Sequence, residues 1–132
     1  ITGALASCGI FSVEMFVSGD DVYFSQVTPR PSRDGLVTFV TQRINQFDLQ
    51  AHATQRLPID STLISPGAVR FLEGHPSQAA LAAAMAVEEV TVRMLGDGTL
   101  VLATADSAAE ARQRTDEAVR AIHKIDGKPG EN

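Results

Sequence analysis

Between Ile10 and Thr28 the hydrophobic residues alternate with the period of a strand. In the run IFSVEMFVS, Phe11, Val13, Met15 and Val17 fall on one face, and Ile10, Ser12, Glu14 and Phe16 fall on the other. The first face is apolar throughout. A second β-rich run, VYFSQVT, follows Gly19, Asp20 and Asp21, so the pattern predicts a hairpin. The next segment, TPRPSRDG from Thr28 to Gly35, carries two prolines and ends in glycine, which predicts a shaped loop rather than a helix or a central strand. Asn45 to Leu57 reads as a helix: Asn45 suits the N-cap, Asp48 stands three residues later as in a capping box, and Pro58 stops it. Leu49, Ala53 and Leu57 give that helix an apolar stripe.

The second half opens with an extended stretch around Ser61 to Leu72, interrupted at Pro66 and Gly67. Ser77 then caps an alanine-rich helix to about Val87, whose small side chains allow close approach to its neighbours. EVTVRML reads as a strand, Gly96-Asp97-Gly98 as a tight turn and TLVLATA as the antiparallel partner. Ser107 and Glu110 form an S-x-x-E capping box opening a last helix that runs to about Lys124, and the tail DGKPGEN is expected to be disordered. Strands and helices interleave, which predicts an α+β fold: a mixed, mainly antiparallel sheet with about three helices.

Composition narrows the classes of function. With 132 residues, 44% of them hydrophobic, the chain is long enough to bury a core without disulfides or a structural metal. The lone Cys8 has no internal partner for a bridge and no evident base beside it, so a small apolar role is expected. A net charge of -5 with no Lys/Arg cluster argues against nucleic acid and against an anionic membrane surface, both of which need a basic face. No apolar run reaches the roughly 20 residues of a membrane span and no basic region precedes a hydrophobic stretch, so a cytoplasmic location is expected. Ile1 stands where an initiator Met would, and the run to Gly9 reads as a continuation, so a fragment or processed product is expected.

Glu14 is the sharpest local feature, a carboxylate inside an otherwise apolar strand. With Gly19 to Asp21 as a three-residue loop, Ser18 pairs with Val22 and Glu14 faces Gln26 across the strands, with Cβ atoms roughly 5 Å apart. Two oxygen-bearing side chains so placed can share a hard cation such as Mg²⁺; the simpler alternative is a solvated sheet face. In the proline-stiffened loop, Arg30, Arg33 and Asp34 suit recognition of phosphate or carboxylate, and a solvated surface turn is an equal alternative. His52, His75 and His123 are far apart in sequence and have no partner at metal spacing. No phosphate-binding glycine loop, dinucleotide fingerprint or paired-cysteine motif occurs.

The stretch GIFSVEMFVSGDDVYFSQVTPRPSRDGLVTFVTQ resembles the C-terminal half of an ATP-grasp domain, most closely that of the formate-dependent phosphoribosylglycinamide formyltransferases of purine synthesis. The family pattern there is G-x-x-x-V-E-x-F-V, a glycine turn, then F-S-E-V-S-P-R-P-H-D-x-G and V-T. The likeness continues through QFDLQAHATQRLPI, VRML and LVLATADSAAEA, so it spans nearly the whole chain while matching only the family's C-terminal part. It implies residues 1–58 as the C-terminal part of an ATP-grasp-like domain, and residues 59–132 as a small C-terminal α/β domain packed on it.

The resemblance also implies chemistry. ATP activates formate as formyl phosphate, the amine of glycinamide ribonucleotide attacks it, and Mg²⁺ bridges the phosphates, with the protein supplying position and charge. Glu14 matches the first metal-binding carboxylate, and Arg30 matches the arginine beside the transferred phosphoryl group. The departures are specific. The second metal carboxylate is Gln26, which keeps an oxygen and loses a charge; the family's His-Asp is Ser32-Arg33, with Asp34 one place late; and the basic loop that holds the ribonucleotide phosphate is reduced to Gly96-Asp97-Gly98. The family's phosphate-covering loop, its ATP-contacting lysines and its adenine-binding hinge lie upstream of anything matched. The isolated chain is therefore expected to be inactive, as the C-terminal portion of an enzyme that takes ATP, Mg²⁺ and a small-molecule substrate, partnered by a separate N-terminal half or as a homodimer. The alternative is a free-standing degenerate domain serving assembly, regulation or small-anion binding.

Overall fold

In the computed structural model, which describes residues 8–127, the alternating run folds as strand β1 (Ser12–Ser18) and returns antiparallel as β2 (Asp21–Thr28). The turn is one residue shorter than expected: Ser18 pairs with Asp21 and Val17 with Val22, leaving Gly19 and Asp20 as the loop. Gly19 takes φ 62°, a left-handed conformation that a β-carbon disfavours. The register then shifts between Met15, opposite Phe24, and Glu14, opposite Gln26, so Ser25 is the extra residue of a bulge.

A 3-10 turn, Asp34–Val37, leads directly into a single-turn helix α1 (Thr38–Thr41), so Asp34 and Gly35 are helical rather than loop residues. Helix α2 (Gln46–Thr54) starts where the capping residue predicts, with the Asn45 side chain accepting from the N–H groups of Phe47 and Asp48 at 2.9 and 3.2 Å. It stops before Pro58 for a different reason. Arg56 adopts φ 57°, Leu57 N–H donates to His52 O at 2.9 Å and Arg56 N–H to Ala53 O at 3.2 Å, the two bonds of a Schellman motif. Leu49 and Ala53 are buried as expected, but Leu57, the last residue of the motif, is 46% exposed. Leu36 completes the apolar centre of this first unit, which ends at Thr62.

The second unit begins at Leu63. Its strands β3 (Gly67–Glu73), β4 (Val90–Leu95) and β5 (Gly98–Thr104) form an antiparallel sheet in the order β3-β5-β4. The extended stretch therefore becomes strand only from Gly67, and the β4–β5 turn is Gly96-Asp97, with Gly98 already paired to Leu95. Helices α3 (Gln78–Met85) and α4 (Ala108–Asp126) bury Ala80, Ala84, Ala118 and Ile122 against Val90, Val101 and Ala103. Alanines on facing helices allow the close packing that the composition foretold. Asp126, expected in the tail, closes α4; the remaining tail positions, 128–132, and the first seven residues lie outside those described.

The observed fold is α+β with antiparallel sheets, and among the described residues it holds the three expected helices plus the single turn α1. Cys8 is exposed, against the apolar role expected of it. Among the described residues, no helix is long and apolar enough to cross a membrane.

Candidate functional site

The bulge at Ser25 bends the hairpin beside the loop that leaves β2, and a cavity of about 530 Å³ opens there. Glu14, Gln26, Arg30, Arg33 and Asp34 all line it, so the five residues singled out from the sequence come together in one place within the first unit. All five are solvent-exposed. Glu14 thus escapes the cost of burial that its apolar strand foreshadowed.

Across the bulge, Gln26 Nε2 donates to Glu14 Oε2 at 2.6 Å. The pair therefore meets through a hydrogen bond, with the amide nitrogen, not its oxygen, turned to the carboxylate. Rotating the amide by half a turn would present oxygen instead, and Glu14 with Gln26 would then give a hard cation two oxygen ligands and leave the rest to water and phosphate. Among the described residues, no group of three or more His, Cys, Asp and Glu side chains gathers as a denser metal site. The donor set fits a loosely held Mg²⁺ and does not fit a structural zinc.

Facing this pair is the short turn Arg30–Arg33, with helical backbone at Arg33 (φ -61°, ψ -37°) leading into Asp34. Its conformation depends on residues that the hydrophobic pattern did not single out. Gln46, only 4% exposed, accepts from Ser32 N–H at 3.1 Å through Oε1 and donates to Ser32 O at 2.8 Å through Nε2. Thr38 Oγ1 accepts from Gln46 N–H at 3.0 Å and donates to Gly35 O at 2.6 Å. Gln50, one turn along α2, has no such bond to that turn and holds another segment, accepting from Ile10 N–H at 2.7 Å. Two glutamines four residues apart share a helix face, which is the one sequence signal for this arrangement. A smaller cavity of about 250 Å³ lies behind Arg30, Ser32 and Asp34, between them and Leu49.

The two arginines offer planar forks for phosphate or carboxylate, and Glu14 offers a ligand for a cation, so the cavity can hold an anion and a metal together.

The first 47 residues match the ATP-grasp domain model. A formate-dependent phosphoribosylglycinamide formyltransferase from Corynebacterium efficiens is 46% identical over an alignment covering 92% of this chain and 34% of that protein. One from Paraburkholderia xenovorans is 39% identical, covering 97% and 35%. Among solved structures, glycinamide-RNase-transformylase T from Mycobacterium tuberculosis superposes with a TM-score of 0.86 at 39% identity, covering 92% of this chain and 38% of that one. N5-carboxyaminoimidazole ribonucleotide synthetase from Thermotoga maritima, at 23% identity and a TM-score of 0.81, shares the fold. The chain spans about a third of the length of the curated relatives it matches. It is homologous to the C-terminal part of the formate-dependent phosphoribosylglycinamide formyltransferases, a family of ATP-grasp proteins.

Proposed function

We propose that this chain is the C-terminal portion of an ATP- and formate-dependent formyltransferase acting on glycinamide ribonucleotide. The observation that carries the reading is the convergence of Glu14, Gln26, Arg30, Arg33 and Asp34 on one cavity. In this scheme formate takes the terminal phosphoryl group of ATP to give formyl phosphate and ADP. The substrate amine then attacks the formyl carbon and inorganic phosphate leaves.

Glu14 and, once its amide has turned, Gln26 would hold Mg²⁺, which supplies charge neutralisation on the phosphates. Arg30 presents its guanidinium to the phosphoryl group as negative charge spreads over the oxygens in flight. Arg33 and Asp34 bind the acceptor, with Asp34 the only carboxylate of that turn able to receive an ammonium proton. Replacing the family's acidic residue by Arg33 puts a cation at the acceptor side, which favours an acceptor with a strongly anionic group.

Turnover belongs to the chain together with protein corresponding to the rest of the relatives' length, as part of one polypeptide or as a separate N-terminal half. The hairpin supports this: Met15, Phe16, Val17, Val22, Tyr23 and Phe24 are each more than half exposed, on both faces of only two strands. Two isolated strands bury too little to be stable alone in water.

The test is the melting temperature of the chain with and without Mg²⁺ and ATP. A ligand at ten times its Kd stabilises the native state by about 1.4 kcal/mol, a readily measured rise. A rise that needs Mg²⁺ and disappears in Glu14→Gln is the expected result. Absence of any shift at millimolar ATP, in the chain and also in the chain joined to protein corresponding to the rest of the relatives' length, would reject a nucleotide site here and favour the non-catalytic domain.

A further inference from the structure

We propose that Gln46 is a positioning residue, whose carboxamide sets the turn bearing Arg30 and Arg33 as a preformed anion-binding edge of the cavity. The inference rests on the reading of those arginines as anion ligands. Ser32 lies between them, and Gln46 engages both of its backbone groups, at 3.1 and 2.8 Å. That is the pairing a neighbouring strand would make, supplied here by one side chain. A proline on each side of Arg30 already limits the turn, and the carboxamide fixes what the prolines leave free.

Three further contacts make this arrangement a built one. Gln46 is buried, and its own N–H is held by Thr38 Oγ1, which also bonds Gly35 O. Gly35 leaves room for the carboxamide, since a β-carbon there would overlap Gln46 Oε1. The Ser32 hydroxyl accepts from Gly35 N–H at 3.3 Å, closing the turn on itself. Gln50 makes the same kind of bond from the same face of α2, but to Ile10, ahead of β1, and not to the backbone between the arginines. Rotational freedom removed from the arginine-bearing backbone before the anion arrives is freedom that binding need not remove.

The experiment titrates inorganic phosphate into the full chain and into Gln46→Leu, Gly35→Ala and Gln50→Leu, following backbone amide chemical shifts, with hydrogen exchange at Ser32 measured in parallel. Gln46→Leu removes the carboxamide and Gly35→Ala displaces it with Gln46 intact, so the two reach the same end by different routes. Both are expected to weaken phosphate binding at least tenfold and to speed exchange at Ser32, while Gln50→Leu lowers the melting temperature and binds phosphate as the parent does. Unchanged phosphate affinity in whichever of the two variants folds, or equal losses in Gln50→Leu, assigns Gln46 a purely structural role and overturns the proposal. No phosphate binding by the parent chain overturns it as well. Phosphate binding that depends on Gln46, in a chain whose melting ignores Mg²⁺ and ATP even when joined to protein corresponding to the rest of the relatives' length, would instead reject the formyltransferase reading and leave this one standing.

Discussion

Glu14 and Gln26 stand directly opposite one another only because Ser25 is left out of the ladder. The turn at Gly19-Asp20 by itself would set Glu14 against Ser25; the bulge moves the pairing along by one residue, and the two side chains meet at 2.6 Å. A three-residue loop predicts the same partnership by a different route, so the expected pair is present while the expected Ser18–Val22 pair is not. The extra residue also bends the strand shortly before the loop that carries Arg30.

Restoring a carboxylate opposite Glu14 should turn a hydrogen-bonded pair into a stronger cation site. Gln26→Glu is expected to raise Mg²⁺ affinity by roughly tenfold, because ligand charge sets the affinity of such oxygen sites. Without metal, the same change should lower the melting temperature, since two carboxylates then oppose each other on neighbouring strands. Calorimetric titration of both forms checks the first outcome, and a flat response would remove Glu14 from the metal site.

Gly98 begins β5 where no side chain fits: a β-carbon would overlap the Phe71 ring and lie 2.7 Å from Leu72 O. Gly98→Ala should therefore cost about 1–3 kcal/mol of stability, the usual range for overpacking, with no effect on ligands of the first unit. Urea unfolding read at the second unit measures it.

Arg114, 16% exposed at its side chain, donates to Thr104 O at 2.8 Å and meets Glu110 at 3.0 Å, Glu89 at 3.2 Å and Glu88 at 3.4 Å. Its fork serves several acceptors at once, which a lysine cannot do. Arg114→Met is expected to destabilise the chain by about 1–3 kcal/mol, since it leaves Thr104 O without this charged donor and three glutamates without their shared cation. Arg114→Lys should recover less than half. Equal stability of Arg114→Met and the parent in chemical denaturation would show the cluster to be energetically neutral.

Acid should loosen the second unit. Ser77 donates its hydroxyl and its backbone N–H to Asp126 at 2.6 and 2.7 Å, tying the end of α4 to the start of α3, and these bonds hold the carboxyl below its usual value of 3.8. Asp116 is likewise lowered, chiefly by its hydrogen bond from Arg70. Both carboxylates are depressed by folding. Their stabilisation is complete above the unfolded value near 4 and disappears as the pH falls through the lower folded values. Asp126→Asn should flatten the loss of melting temperature below about pH 4 while lowering stability at pH 7, and a slope equal to the parent's would exclude Asp126 from the transition.

The elements that the sequence alone determined are those specified by local rules. Asn45, Ser77 and Ser107 each cap the helix they were read to open, because a capping side chain bonds amides two or three residues away and needs nothing distant. The first hairpin follows from alternation and the β4–β5 pair from β-rich runs on either side of a glycine turn, and Glu14, Arg30, Arg33 and Asp34 stood out as charges in apolar or proline-stiffened surroundings. Tertiary structure decided the rest. The end of α2 depends on Arg56 entering a left-handed conformation that its residue type does not announce, and the bulge depends on which register lets both ends of the hairpin pair. Gln46 looks like any polar residue in the first turn of a helix; only folding brings it to Ser32, fourteen positions earlier, and buries it there. A hydrogen bond between distant segments has no period and no local signature, so the residues that hold the site are legible only once the chain has closed on itself.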